Sequence, residues 1–148
     1  MISITKNFLS FEDCNKVINF YNNNASKKFT YGATEPITII NCNDYFIQGC
    51  LQKINKQCIK IAEVCMDNAE VIKWLDGGTM APHYDVGDEF AAIVYLNSDY
   101  KGGELVIEGI EIKPDVGEFI VFSNGKLLHS VNKVVGERYT LSTWFKVI

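Results

Sequence analysis

The stretch Thr79–Asp88, TMAPHYDVGD, places one of the chain's two histidines, His83, two residues before an acidic residue, Asp85. In an extended backbone, residues two apart leave the same face, so this imidazole and carboxylate can reach one ion while Tyr84 points away. The same letters also suit a polar turn at a strand end, because Pro82, Gly87 and Asp88 are turn formers. Residues further along the chain bear on the choice.

The second histidine, His129, sits in another apolar run, LLHSV. Two histidines and one carboxylate on the interior of a barrel form a facial triad, which leaves positions open on an octahedral ion. A structural zinc site would instead be closed by four protein ligands. Nine residues later Arg138 opens RYTLSTWF, a strand pattern in which Arg138, Thr140, Ser142 and Trp144 share a face. A guanidinium on an inward face is a costly buried charge unless an anion meets it, and a carboxylate fits its parallel donors. The alternative is a surface cation lying along a sheet edge.

With 148 residues the chain is expected to form one domain, spanning 1–148, with a single core. Hydrophobic residues make up 47% and charged residues 22%, which argues for a folded chain. A net charge of -4 gives no general attraction to phosphate backbones or anionic lipid, so neither nucleic acid nor a membrane is the expected partner. The first residues, MISITKNFLSFEDC, lack a basic segment followed by an apolar run, and no apolar stretch nears the roughly 20 residues that span a bilayer. A soluble, cytoplasmic protein is the expectation. Five cysteines, odd in number and without a C-x-x-C pair, predict reduced thiols rather than a disulfide framework. Cys50, Ile54, Cys58, Ile61 and Cys65 recur at helical spacing, which predicts one buried helical face.

The opening MISITKNF alternates as a half-buried strand would, and Ser10-Phe-Glu-Asp13 has the form of a capping box, predicting a helix to about Tyr21. Tyr21 to Pro36 reads as a long loop, and PITIINC as a short strand. A second amphipathic helix is expected from about Asn43 to Met66. After Ala69 come about seven or eight short strand-like runs separated by Gly, Asp, Asn and Pro, so the chain is expected to be α+β and mainly β, a sandwich or barrel covered by amino-terminal helices.

From about Val71 to Phe145 the segments KWLDGGTMAPHYD, AAIVYLN, KGGELVI, IKPDVGEFIVF, LLHSV and GERYTLSTWF follow one another. In this order they resemble the 2-oxoglutarate and Fe(II)-dependent dioxygenases, particularly the prolyl 4-hydroxylase-like branch. NFLSFEDCNKVINFY looks like the helical entry of such enzymes. The resemblance implies a double-stranded β-helix, a jelly-roll or cupin-like barrel with two amino-terminal helices packed on it. It implies Fe(II) held by His83, Asp85 and His129. Arg138 would pair with the distal carboxylate of 2-oxoglutarate, and Tyr95 would donate a hydrogen bond to that carboxylate. Ser142, Val131 and Trp144 would line the cosubstrate pocket.

The reaction so implied uses dioxygen, with stimulation by ascorbate. It hydroxylates an unactivated C–H bond, foremost a prolyl residue in a peptide or protein, and releases succinate and CO2. Two alternatives stay open: hydroxylation of a free amino acid or small metabolite, and a non-catalytic metal- or ligand-binding barrel. Trp74 departs from the pattern, since members often carry tyrosine nine residues before the first histidine ligand, and an indole donates but does not accept. Asp85 speaks against the related halogenases, which lack this carboxylate, and Trp144 stands where the DNA-repair branch has a second arginine. The loop Tyr21–Pro36, with Phe29 and Tyr31, is expected to close over the iron face and clamp a peptide.

Overall fold

The structure, a computed structural model, describes residues 1–148. Ser10 caps the first helix, α1 (Phe11–Asn23), by accepting from the Asp13 amide at 3.0 Å. Cys14, Val17 and Tyr21 then form its buried stripe. Asp44 caps α2 (Tyr45–Cys58) in the same way through the Ile47 amide, and Ile47, Cys50, Leu51, Ile54 and Cys58 are buried.

The chain has twelve strands, two of them ahead of α2. They are β1 (Ile2–Thr5), β2 (Thr34–Thr38), β3 (Val64–Trp74), β4 (Met80–His83), β5 (Phe90–Tyr95), β6 (Lys101–Gly102), β7 (Leu105–Ile107), β8 (Ile110–Ile112), β9 (Phe119–Phe122), β10 (His129–Val131), β11 (Val134–Val135) and β12 (Arg138–Val147). A six-stranded antiparallel sheet has the order β1-β9-β5-β12-β3-β2, a four-stranded sheet has the order β4-β10-β7-β8, and β6 pairs with β11. Leu105 and Ile107 of the smaller sheet pack against Ala91, Ile120 and Phe122 of the larger, closing the double-stranded β-helix.

Alternation along the central strands sorts residues between the two faces of the large sheet. Ala69 and Val71 of β3, Ala92 and Val94 of β5, and Leu141 and Phe145 of β12 join the helices in the main core. Their neighbours Asn68, Glu70, Ile72 and Trp74, Ala91 and Ile93, and Arg138, Thr140, Ser142 and Trp144 line a cavity of about 970 Å³. One side of the sheet holds the helices; the other holds the cavity.

Three sequence expectations are corrected. The second helix stops at Cys58, and β3 begins at Val64 rather than at Ala69. Ile61 and Cys65 therefore lie off the helix; both are exposed, because Val64 takes the inward place when the period changes from 3.6 to 2. The segment Tyr21–Pro36 is less irregular than expected. It holds the end of α1, a 3-10 turn at Ala25–Lys27 and the start of β2, and the Tyr21 hydroxyl donates to the Glu35 carbonyl at 2.6 Å. The opening strand forms, but as an edge strand on β9 with all four residues exposed rather than half-buried. No helix is long and apolar enough to cross a membrane.

Candidate active site

His83 closes β4 and His129 opens β10, and the two are direct cross-strand partners, with ring centroids 4.3 Å apart. Asp85 lies just beyond β4, its amide donating to the Asn124 carbonyl at 3.0 Å. The ligating atoms of His83, Asp85 and His129 lie within 4.8 Å of one another. Asp85 Oδ1 is 3.1 Å from His83 Nε2, and Oδ2 is 3.4 Å from His129 Nε2.

The backbone sets which imidazole nitrogen faces inward. His83 Nδ1 is 2.9 Å from the Ala81 carbonyl and His129 Nδ1 is 2.9 Å from that of Leu127. A carbonyl only accepts, so each Nδ1 carries a proton and Nε2 is the ring atom left to face Asp85. Two ring nitrogens and a carboxylate facing one another form an arrangement that a cation stabilises, whether a proton shared between His129 and Asp85 or a metal ion. Burial opposes charge on His129, yet its hydrogen bond with Asp85 lifts its pKa above the ordinary histidine value. Burial would likewise raise the Asp85 carboxyl, but hydrogen bonds from His129 and Asn124 hold it below the usual aspartate range. One nitrogen from each histidine and a monodentate carboxylate suit a divalent ion with open positions, so the donor set fits Fe(II).

Arg138 occupies the same cavity and is 2% exposed, with none of the chain's ion pairs reaching it. Its Nη2 donates to the Tyr95 hydroxyl at 2.7 Å, and its guanidinium carbon lies 5.1 Å from the Trp74 ring and 4.8 Å from the Tyr95 ring. Its Nε is buried without a partner. A cation held against two aromatic rings with a donor left over asks for an anion, and a planar carboxylate matches its fork.

Ser142, Trp144 and Val131 line the cavity, and Ser142 Oγ lies 3.0 Å from Thr140 Oγ1. Tyr95 is fully buried, and its contact in the structure is with Arg138. Trp74 accordingly has a packing role against the guanidinium, which needs no accepting atom. Asn124 went unnoticed in the sequence. It is fully buried, and its Nδ2 donates to Asp85 Oδ2 at 2.8 Å and to Asp88 Oδ2 at 3.3 Å. Its neighbour Gly125 permits that approach, since a Cβ there would sit 2.5 Å from the Asp88 carbonyl oxygen. The only sequence signal was an Asn-Gly turn shortly before His129, which reads equally well as an ordinary loop.

The solved structures with this fold include the viral collagen prolyl hydroxylase of Paramecium Bursaria Chlorella virus-1 in complex with 2OG. It matches with a TM-score of 0.80 at 20% identity, covering 99% of this chain and 96% of that one. A prolyl-4-hydroxylase of Pseudomonas putida matches at 0.77 and 18% identity over 99% and 92% of the two chains. A Trichoplax adhaerens prolyl hydroxylase, in complex with a peptide fragment of the hypoxia inducible factor oxygen degradation domain, matches at 0.77 and 16% identity over 98% and 83%. At such identities the likeness is one of fold. No curated protein matches the chain significantly in sequence. Residues 69–146, however, match the family model of the 2OG-Fe(II) oxygenase superfamily, a span that holds the two histidines, Asp85 and Arg138. The chain therefore belongs to the 2OG-Fe(II) oxygenase superfamily, whose chemistry draws on Fe(II), 2-oxoglutarate and dioxygen, and it shares its fold with the prolyl hydroxylases above.

Proposed function

We propose that residues 1–148 act as a single catalytic domain that hydroxylates a prolyl residue within a peptide or protein and releases succinate and CO2. The carrying observation is Arg138, a buried guanidinium with a free donor in the same cavity as the histidine and aspartate cluster. In this reading His83, Asp85 and His129 hold Fe(II) through two Nε2 atoms and one carboxylate oxygen. The bound metal and 2-oxoglutarate supply the oxidising equivalents, and the protein supplies position and exclusion of water.

Arg138 binds the distal carboxylate of 2-oxoglutarate, and Tyr95, from behind, fixes the plane of its fork. Ser142, Thr140 and Val131 shape the cosubstrate pocket, while Trp144 stands in the wall nearer Phe122 and His129. Phe29 and Tyr31 line the cavity from the segment before β2, and both are exposed, which suits contact with an extended polypeptide. The peptide-bound Trichoplax enzyme, alike in fold, supports a polypeptide substrate.

The test is a peptide-library incubation with Fe(II), 2-oxoglutarate and ascorbate, read by succinate release and by a mass gain of one oxygen on a proline. Hydroxylation of free amino acids alone would overturn the polypeptide reading. No succinate under any condition would leave a non-catalytic barrel.

A further inference from the structure

Along the cavity-facing row of β3, Glu70 is the one ionisable side chain, between Asn68 and Ile72. One row across the sheet runs Thr38, Glu70, Ser142, Ile93. It lies between the row of Trp74 and Arg138, where an anion is wanted, and the row Asn68, Trp144, Ala91, Phe122, whose last member packs on His129. Glu70 thus stands beside the path from the cosubstrate end of the cavity to the metal end.

Its carboxylate is half-buried, and no lysine, arginine or histidine pairs with it. Burial pushes its carboxyl above the usual glutamate range, against the polar contact with Asn68. Other acids on the wall have occupations: Asp67 pairs with Lys146 at 3.0 Å, Asp85 lies between the histidines, and Asp88 takes a hydrogen bond from Asn124. Arg138 is the only lysine or arginine lining the cavity. Once Arg138 is matched to an anionic cosubstrate and Asp85 to a divalent ion, the wall retains negative charge and offers no cation. Around the mouth, Phe29, Tyr31, Tyr84 and Val86 are exposed apolar contact groups.

We propose that Glu70 is a specificity-determining residue that receives the side-chain cation of a lysine or arginine flanking the hydroxylated position. The substrate is thereby a basic polypeptide segment held by the apolar groups of the mouth. This inference rests on the dioxygenase reading of the cavity. Discrimination works in both directions: a flanking cation gains a partner in a partly desolvated wall, while a flanking glutamate meets a like charge there.

The experiment uses three series of fluorescein-labelled, proline-containing peptides, identical except for Lys, Ala or Glu on both sides of the proline. Binding to the protein loaded with Mn(II) and 2-oxoglutarate is read by anisotropy. The lysine series should bind about tenfold more tightly than the alanine series, and the glutamate series more weakly still. That advantage should shrink between about 50 and about 500 mM salt, as screening of a partly exposed pair requires. Glu70→Gln should level lysine and alanine, and Glu70→Lys should invert the order. Equal affinities across the wild-type series, no binding by any series, or a lysine preference that survives Glu70→Gln would each overturn the proposal. Calorimetric titration of the Mn(II)-loaded wild type with 2-oxoglutarate separates the two levels. If 2-oxoglutarate binds while peptide charge is ignored, the basic substrate alone fails; if it does not bind, the dioxygenase reading fails with it.

Discussion

The two faces of the large sheet are built from the same strands and differ at every second residue. On the helix side, Leu141, Thr143 and Phe145 are fully buried, and the one hydroxyl among them, Thr143, donates to the Ala92 carbonyl at 2.7 Å. On the cavity side, Arg138, Thr140 and Ser142 are buried nearly as deeply, yet Arg138 keeps a donor without a partner. Equal burial with unequal satisfaction separates a face that holds the fold from one that awaits a ligand.

The contrast breaks most completely at the metal. His129→Ala should abolish Mn(II) binding in calorimetry and all succinate formation while far-ultraviolet circular dichroism stays that of the wild type. Retained metal affinity would exclude His129 as a ligand. Next come two substitutions on the two faces of one strand. Arg138→Ala should weaken 2-oxoglutarate binding by about two to three orders of magnitude, with Arg138→Lys recovering only part of it. Phe145→Ala should instead lower unfolding free energy by about 3 to 5 kcal/mol in urea titration, by opening a cavity in the main core. If Arg138→Ala proves the more destabilising of the two, the division between the faces is wrong.

A smaller effect tests the neighbour of the metal site. Asn124→Leu keeps side-chain volume but removes the donor to Asp85, and should weaken Mn(II) affinity about tenfold to a hundredfold. Lost thermal stability with unchanged Mn(II) affinity would make Asn124 a packing residue only. The smallest expected change concerns thiols on the helix side. Burial pushes Cys14 and Cys50 up to about 11 and Cys58 up to about 12. At pH 8 their thiolate fraction is about one in a thousand or less, so alkylation should reach exposed Cys65 and spare these three until the chain unfolds. Rapid labelling of Cys58 in the native state would contradict the burial of that helix face.

Alternation made the long strands readable, and with them the shared face of Arg138, Thr140, Ser142 and Trp144. The triad was readable because the chain has only two histidines and each lies in a strand-like run. The end of α2 was not readable, because Ile61 and Cys65 happen to stay in helical phase after the helix has ended. Two-residue strands such as β6 and β11 carry no period at all. Asn124 and Glu70 were hidden for another reason: a buried polar residue acquires its meaning from partners distant in sequence, Asp85 for the first and the cavity wall for the second.

His83 and His129 lie 46 positions apart in the chain (129 less 83) yet face each other across neighbouring strands. In a flexible chain, bringing the ends of such a segment together costs about 3.4 kcal/mol from its logarithmic length dependence alone. Folding of the β4–β10 pair has already absorbed this loss of polymer freedom before any ion arrives, a head start of about two to three orders of magnitude in binding constant. Metal affinity is therefore hostage to strand pairing. A substitution that frays β4 from β10 will weaken it even when both imidazoles and Asp85 remain intact.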